Sequence, residues 1–328
     1  MKVLAGDIGG TNSRLALVAV DASGACALSA LRSFRNADFP SFEAVLDAYG
    51  GAHLAGLPVA LAVAGPVGDG RVQLTNRGWD ICAATLQARY RCSALRLFND
   101  FEAAVYGVDT LCDDGVRVLQ RGAANAAGLR LLVGAGTGFG VAFGAVHDDG
   151  TVQACSTEGG HIAFAPRNAV QDELLAFMRA RHGRVSVERL LSGAGIEALH
   201  AFCRERHDQR PGPAPDAAGV VAAARAGDSA AAAAVALFVE LLGQVTGDLA
   251  LATGARGGVH VAGGIAPQLG ELLDAATFCT AFADKGRFAA WMAALPVSLV
   301  KDPWLGLKGA ALALRREMQA CERGEGGG

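Results

Sequence analysis

Two short apolar stretches, residues 3–7 and 13–20, flank Ile8-Gly9-Gly10-Thr11-Asn12, and the arrangement returns about 128 residues later. There residues 131–134 lead through Ala135-Gly136-Thr137-Gly138 into residues 139–146. Strand, glycine turn and strand make a hairpin. This limits the fold sharply, because a dinucleotide-binding loop needs a helix directly after its glycines. Residues 14–20, Arg-Leu-Ala-Leu-Val-Ala-Val, are a weak helix start and a good strand. The P-loop pattern G-x-x-x-x-G-K-[ST] does not occur. Two such hairpins so far apart indicate duplication at domain scale, not a short-period solenoid.

Between the hairpins, residues 59–64 and 95–98 read as further strands and 41–49 and 101–107 as helices. The second half is richer in helix, with helical segments at 171–182 and 187–191 ahead of a proline-rich loop at 210–216. A long helix is predicted to start after Asp228, a good N-cap, and to stop near Gly254. A buried strand at 258–262 opens into Gly263-Gly264, a last helix covers about 306–321, and residues 322–328 read as a disordered tail. Strands alternating with helices around two hairpins imply α/β architecture with two related domains.

With 52% hydrophobic and 19% charged residues, the chain has enough apolar content for real cores, which excludes disordered and collagenous classes. The 44 glycines in 328 residues point to backbone that must approach something closely. A net charge of −3 without a basic run speaks against nucleic acid or a membrane surface as partner. Residues 230–252 are apolar enough to suggest a membrane span, but Glu240, Gln244 and Asp248 form a polar stripe on that helix. The N-terminus reaches Asp7 too early for a secretory signal, so a soluble, cytoplasmic chain is expected. Eight scattered cysteines, with no C-x-x-C and no Cys/His cluster, read as reduced thiols rather than metal ligands.

The run Gly6-Asp7-Ile8-Gly9-Gly10-Thr11 suits polyphosphate chemistry. Glycines let backbone N–H groups turn toward phosphate oxygens, Thr11 adds a hydroxyl, and Asp7 can orient Mg²⁺ or its water shell. The plainer reading is a tight turn beside a solvated aspartate. The second copy, at Gly136-Thr137-Gly138, raises the functional reading, because two hairpins can hold a triphosphate from both sides. Gly263-Gly264 adds a place where a nucleoside can lie on the backbone.

Five motifs then occur together: residues 6–12, Phe98-Asn99-Asp100-Phe101, Gly134-Ala135-Gly136-Thr137-Gly138, Glu158-Gly159-Gly160-His161 and Ala262-Gly263-Gly264-Ile265. In this order, and with Val187-Glu188-Arg189-Leu190-Leu191-Ser192-Gly193 and Asp284-Lys285-Gly286-Arg287-Phe288, the chain resembles the bacterial ATP-dependent glucokinases of the actin-like sugar kinase superfamily. The resemblance runs from residue 3 to about 320. It implies two ribonuclease-H-like domains with a central cleft: a small one over 1–110, completed by the C-terminal helix at about 301–321, and a large one over 111–300. It also implies Mg²⁺ and ATP beside a bound sugar, domain closure, and a homodimer.

The resemblance assigns the general base to Asp100, at the C-terminal end of a predicted strand, where ligands of open α/β sheets bind. Such a base accepts the proton of the sugar hydroxyl that attacks the γ-phosphorus. From position alone, an Asn-Asp pair ahead of a helix reads first as a helix cap. Asn99, Asp100, Glu158, His161 and Glu188 match the family's sugar-binding positions, and paired amides and carboxylates suit a ring of hydroxyls. By themselves, His161 reads as a structural histidine and Glu188 as a solvated glutamate. Asn76 is a further candidate for the cleft. Gly6, Asp7, Ile8, Gly9, Gly10, Thr11, Gly136, Thr137, Gly138, Gly263 and Gly264 are carried over as the ATP-binding set. No zinc is expected, because residues 162–182 lack the cysteines that follow such a histidine in related kinases and repressors. The activity implied is transfer of the γ-phosphoryl group of ATP to the 6-hydroxyl of D-glucose. A kinase for mannose, fructose or an N-acetylhexosamine, a polyphosphate donor and a non-catalytic sugar sensor stay open as alternatives, while the absence of large insertions speaks against an actin-like assembly protein.

Overall fold

Short apolar strands build two large sheets, of five and six strands, and a two-stranded ribbon, and the chain divides into two α/β units. A computed structural model describes all residues except 75–77, 126, 148–149, 207–214, 323 and 325–328. Asn76, residues 210–214 of the proline-rich loop and most of the expected tail therefore lie outside the described residues.

The first unit comprises Met1–Cys112, Ala154–Ser156 and Asp302–Gly328. It opens with β1 (Lys2–Ile8), β2 (Asn12–Val20), β3 (Cys26–Arg35) and α1 (Phe42–Gly50). It continues through β4 (Pro58–Val63), β5 (Arg71–Leu74), β6 (Trp79–Cys82), α2 (Ala83–Tyr90), β7 (Ala94–Asn99) and α3 (Asp100–Gly107). The five-stranded sheet has the order β3-β2-β1-β4-β7, with β5 and β6 forming a separate ribbon. The hairpin β1–β2 is antiparallel, while β1, β4 and β7 run parallel.

The second unit comprises Asp113–Gln153 and Thr157–Lys301. Its elements are β8 (Val116–Gln120), β9 (Arg130–Ala135), β10 (Phe139–Val146), β11 (Val152–Thr157, whose Ala154–Ser156 are counted with the first unit), α4 (Ala169–His182) and α5 (Gly193–Arg206). Then follow α6 (Ala217–Arg225), α7 (Ser229–Thr253), β12 (Gly258–Ala262), α8 (Ile265–Leu269), α9 (Ala275–Ala283), α10 (Ala289–Ala293) and β13 (Val297–Val300). The sheet order is β11-β10-β9-β12-β13-β8. Again an antiparallel hairpin, β9–β10, is followed by parallel β12 and β13. The repetition inferred from the two glycine hairpins is thus a repetition of sheet topology. The last helix, α11 (Leu305–Glu322), belongs to the first unit.

In the first unit, one sheet face sets Leu4, Ile8, Leu15 and Leu61 against Phe42, Val45 and Leu46 of α1. The other face sets Val3, Ala5, Ala16, Ala60 and Ala62 against Leu307, Ala310, Ala311 and Leu314 of α11. Small residues let helices approach here. A Cβ on Gly309 of α11 would run into the Ala103 carbonyl and come within 2.5 Å of the Gly107 nitrogen on α3.

In the second unit, α7 is the helix whose length and apolarity fit a membrane span, yet 78% of its most apolar window is buried inside the protein. Asp228 caps it by accepting from the Ala231 N–H at 2.7 Å, and Gly254 ends it in the left-handed region. Its polar stripe is turned onto neighbouring segments. Glu240 accepts from Arg167, Asn168 and Gln171, Gln244 donates to the Ala165 carbonyl, and Asp248 meets Lys285 at 3.0 Å. The Asp284-Lys285 motif serves the same network: Arg167 bridges Glu240 and Asp284, and Lys285 reaches Asp248 past Gly247.

Three expectations change. Residues 187–191 hold one 3-10 turn, Val187–Arg189, closed by the Leu190 and Leu191 N–H groups on the Val187 carbonyl. Helices α5 and α6 form where none was expected, and Glu322, placed in the tail, is the last residue of α11. No disulfide joins the eight cysteines, and burial pushes the Cys203 thiol up to about 11.

Gly309→Ala gains about 1 kcal/mol of helix propensity but must push α11 off α3, an overpacking cost at the upper end of about 1–3 kcal/mol. Asp228→Ala loses only a cap, about 1 kcal/mol. Thermal unfolding should therefore show Gly309→Ala lowering Tm at least as much as Asp228→Ala; an unchanged Tm for Gly309→Ala would contradict the close crossing.

Candidate active site

In the first unit, the parallel register aligns the candidate residues at one edge of the sheet. Ile8 lies level with Val63, and Val63 level with Asn99. The turn after β1 and the pair Asn99-Asp100 after β7 therefore leave the same C-terminal edge, with β4 between them. Adjacent strands lie about 4.8 Å apart, so the two segments start roughly 10 Å from each other.

The first glycine turn is held from beneath. Gly9 N–H bonds to the Asn12 carbonyl at 3.0 Å. The buried Asn36 donates its side-chain N–H to the Gly9 carbonyl at 2.7 Å and its backbone N–H to the Thr11 carbonyl at 2.9 Å. Ser13 in turn donates its hydroxyl to the Asn36 amide oxygen at 2.8 Å. These bonds occupy the turn's carbonyls from one side and leave Thr11 exposed at its tip. Gly6 and Ile8 have a different part. A Cβ on Gly6 would press on Leu61 and Leu15 at 2.7 and 2.8 Å, and Ile8 is fully buried. They shape the strand under the turn.

Asp7 pairs across the hairpin with Arg14, whose guanidinium lies 3.2 Å from the Asp7 carboxylate and 5.9 Å from the Trp304 ring centre. Burial pushes the Asp7 carboxyl above the ordinary carboxylate range, and Arg14 partly offsets this by charge and hydrogen bonding. Arg14 and Asn36 were not singled out in the sequence. Arg14 had a signal, since hairpin register puts it opposite Asp7. Asn36 had none, since it arrives from β3 by tertiary contact.

Asn99 caps α3 as position alone suggested. Its side-chain oxygen accepts from the Phe101 and Glu102 N–H groups, and Glu102 answers by accepting from the Asn99 N–H at 3.2 Å. Its amide N–H₂ donates to the Gly65 carbonyl at 3.0 Å. That leaves one amide hydrogen for a ligand. Asp100, half-buried at the first position of α3, accepts from the Phe101 N–H at 2.9 Å through one oxygen. The helix terminus favours negative charge there.

In the second unit, Ala262 lies level with Gly134, so Gly263-Gly264 stands beside the second glycine turn. Gly263, with φ near +83°, has the Ala135 backbone where a Cβ would be, while Gly136 and Gly264 face open space. Gly136 donates to the Gly138 carbonyl at 2.8 Å, and the Gly193 N–H bonds to the Gly136 carbonyl at 2.9 Å. Thr137 is exposed.

The Glu158-Gly159-Gly160-His161 turn packs on the start of β10. A Cβ on Gly160 would strike the Phe139 carbonyl, and one on Gly159 would meet Val141 at 2.9 Å. Glu158 and His161 are both exposed and stand 3.8 Å apart. Their neighbour Ile162 is tied to Val187, which brings Glu188 to the same place. Glu188 accepts from the Phe139 N–H at 2.9 Å. Glu158, His161, Glu188 and the second glycine turn thus form one group within this unit.

Among the described residues no three His, Cys, Asp or Glu side chains gather to hold a metal ion. That donor set fits Mg²⁺ held through phosphates, water and one or two carboxylates, such as Asp7, rather than a protein cage.

A match to the Glucokinase family spans residues 4–317. The chain is 42% identical over 321 residues to a glucokinase of Chromohalobacter salexigens, covering 96% of this chain and 98% of that one. Among solved structures it is similar to a glucokinase from an Antarctic psychrotroph, with a TM-score of 0.86 and 33% identity over 96% of this chain and 99% of that one. A glucokinase from Balamuthia mandrillaris, solved in complex with glucose, shares the fold at a TM-score of 0.78 and 22% identity, over 96% of this chain and 93% of that one. By a match over nearly its whole length, the chain belongs to the glucokinase family.

Proposed function

We propose that this protein transfers the γ-phosphoryl group of ATP to the 6-hydroxyl of D-glucose, with Asp100 as general base. The observation that carries the reading is the shared sheet edge: a braced glycine turn for phosphates and an aspartate at a helix start leave parallel strands one strand apart. Phosphoryl transfer asks a protein mainly for positioning and charge stabilisation. The turn at Gly9, Gly10 and Thr11 presents its tip and the exposed Thr11 hydroxyl to the phosphates, with Gly6 and Ile8 setting the strand beneath. Gly136, Thr137 and Gly138 offer the same in the second unit, and Gly263-Gly264 gives the nucleoside a surface without side chains. Mg²⁺, bound with the nucleotide, supplies charge neutralisation on the phosphates. Asp7 is the carboxylate placed to meet its water shell, and Arg14 keeps that carboxylate oriented.

Asp100 accepts the proton as the sugar oxygen attacks. Its first oxygen is bonded to the Phe101 N–H, which fixes the direction of the second. Asn99, Glu158, His161 and Glu188 bind the sugar hydroxyls. Acceptance or donation in pairs makes each contact selective, because an epimer leaves a polar group unpaired. As part of the same reading, which here rests on the family resemblance, the enzyme works in the cytoplasm as a homodimer.

The test is ADP release from Mg·ATP with glucose, mannose, fructose, N-acetylglucosamine and N-acetylmannosamine. Strong preference for glucose is expected, whereas preference for another sugar replaces the substrate, and no release with any of them removes the ATP-dependent kinase reading. Asp100→Asn should bind glucose yet lose roughly 10²-fold or more in kcat. Survival of turnover within about threefold, far short of what a general base contributes, would dismiss Asp100 from that role. Glu158→Ala should raise the KM for glucose well beyond that for ATP; equal increases would place Glu158 outside the sugar pocket.

A further inference from the structure

Glu188 was assigned above to the sugar, yet its nearest polar partner belongs to the second glycine turn. The Phe139 N–H, first donor of β10, points to Glu188 Oε2 at 2.9 Å. A Cβ on Gly138 would collide with that oxygen and stand 3.3 Å from the Glu188 Cδ. The glutamate therefore occupies the space that a side chain at Gly138 would need. It is carried there on the 3-10 turn Val187–Arg189, itself strapped by the Val187 N–H to Ile162 and by the Leu190 and Leu191 N–H groups to Val187. The other ties of the turn are backbone bonds, from Gly136 to Gly138 and from Gly193 to Gly136.

A carboxylate in this place is electrostatically odd. Negative charge beside a loop that receives phosphates weakens their binding. If charge alone mattered, removing Glu188 would tighten nucleotide binding. Its hydrogen bond acts in the opposite sense, because a turn made of Gly136, Thr137 and Gly138 has little else to define its shape.

Resting on the function proposed above, we propose that Glu188 is also a positioning residue for the nucleotide: by accepting the Phe139 N–H and filling the space over Gly138, its side chain holds the Gly136-Thr137-Gly138 turn in the shape that receives the ATP phosphates. One carboxylate then serves two ligands, Oε2 fixing the phosphate turn and Oε1 remaining for a sugar hydroxyl. Movement of the side chain on sugar binding is felt by the turn, and linkage makes the effect reciprocal.

The test is calorimetric binding of the Mg²⁺ complex of a non-hydrolysable imido analogue of ATP, without sugar, to the wild type and to three variants. Glu188→Ala should bind it about tenfold more weakly, the scale of one lost hydrogen bond to a charged group. Glu188→Gln keeps an acceptor for the Phe139 N–H without the charge and should return the affinity to within roughly threefold of wild type. Glu158→Ala, assigned to the sugar alone, should bind the analogue as wild type does.

Equal or tighter binding by Glu188→Ala overturns the proposal while leaving the kinase reading intact, and a loss of the same size in Glu158→Ala overturns it too. A wild type that binds no analogue overturns both. Where Glu188→Ala does not fold, Gly138→Ala displaces the carboxylate with the glutamate still present. It should raise the KM for ATP and for glucose together, and a rise for ATP alone overturns the proposal.

Discussion

A glycine turn that is to receive an anion has no side chains with which to hold itself. Its shape has to be imposed by groups that reach in from elsewhere and take up its carbonyls or its flanking donors. Both turns here are braced in this way, by different means, beside the bonds from the Gly9 N–H to the Asn12 carbonyl and from the Gly136 N–H to the Gly138 carbonyl. Under the first, Asn36 brings an amide and its own backbone N–H to the carbonyls of Gly9 and Thr11, and Ser13 fixes the amide in turn. Under the second, Gly193 takes the Gly136 carbonyl and Glu188 takes the Phe139 N–H. The rest of each unit can be read as the means of delivering these braces to the right place.

Delivery relies on close backbone approach, which accounts for part of the glycine excess. Gly159 and Gly160 let the Glu158–His161 turn lie flat on β10, Gly263 lets the end of β12 touch Ala135, and Gly309 lets α11 cross α3. At Gly160, Gly263 and Gly309 the contact is made with backbone, where nothing can move aside to admit a methyl group, while at Gly159 it is made with the Val141 side chain. Charges are treated in the same economical way. The stripe on α7 that separates this helix from a lipid-facing span is used to bind Arg167, Ala165 and Lys285, so the polar atoms that mark it also connect three parts of the second unit.

Much of this was legible in the sequence because it rests on local signals. The apolar runs 3–7 and 13–20, and 131–134 and 139–146, each pair joined by a Gly/Thr turn, specified both hairpins, and Asp228 and Gly254 marked the ends of α7 to within a residue. The five motifs, taken in order, pointed to the family before any contact was known. What was not legible depends on tertiary placement. Asn36 sits at the end of an edge strand with no pattern to announce it. Glu188 reads as an ordinary exposed glutamate until the strap from Ile162 to Val187 is seen. Helix α6 was hidden because alanine-rich stretches carry propensity but little periodicity, and residues 187–191 looked helical because propensity does not say where a short turn stops. Gly6 adds a constraint the motif did not show: Leu61 and Leu15 fill the space a side chain there would need.

The placement of α11 bears on how the chain comes into being. One face of the first sheet, with Val3, Ala5, Ala16 and Ala60, is covered by residues 307–314, which are synthesised after the whole second unit. At roughly 5–20 residues per second, the nascent sheet waits about 10–40 s with that face uncovered. The alanines on it make the wait safer than a leucine-lined surface would, because they offer little apolar area to a passing neighbour. Small side chains that admit a close-packed helix in the finished protein thus also keep an unfinished one from sticking.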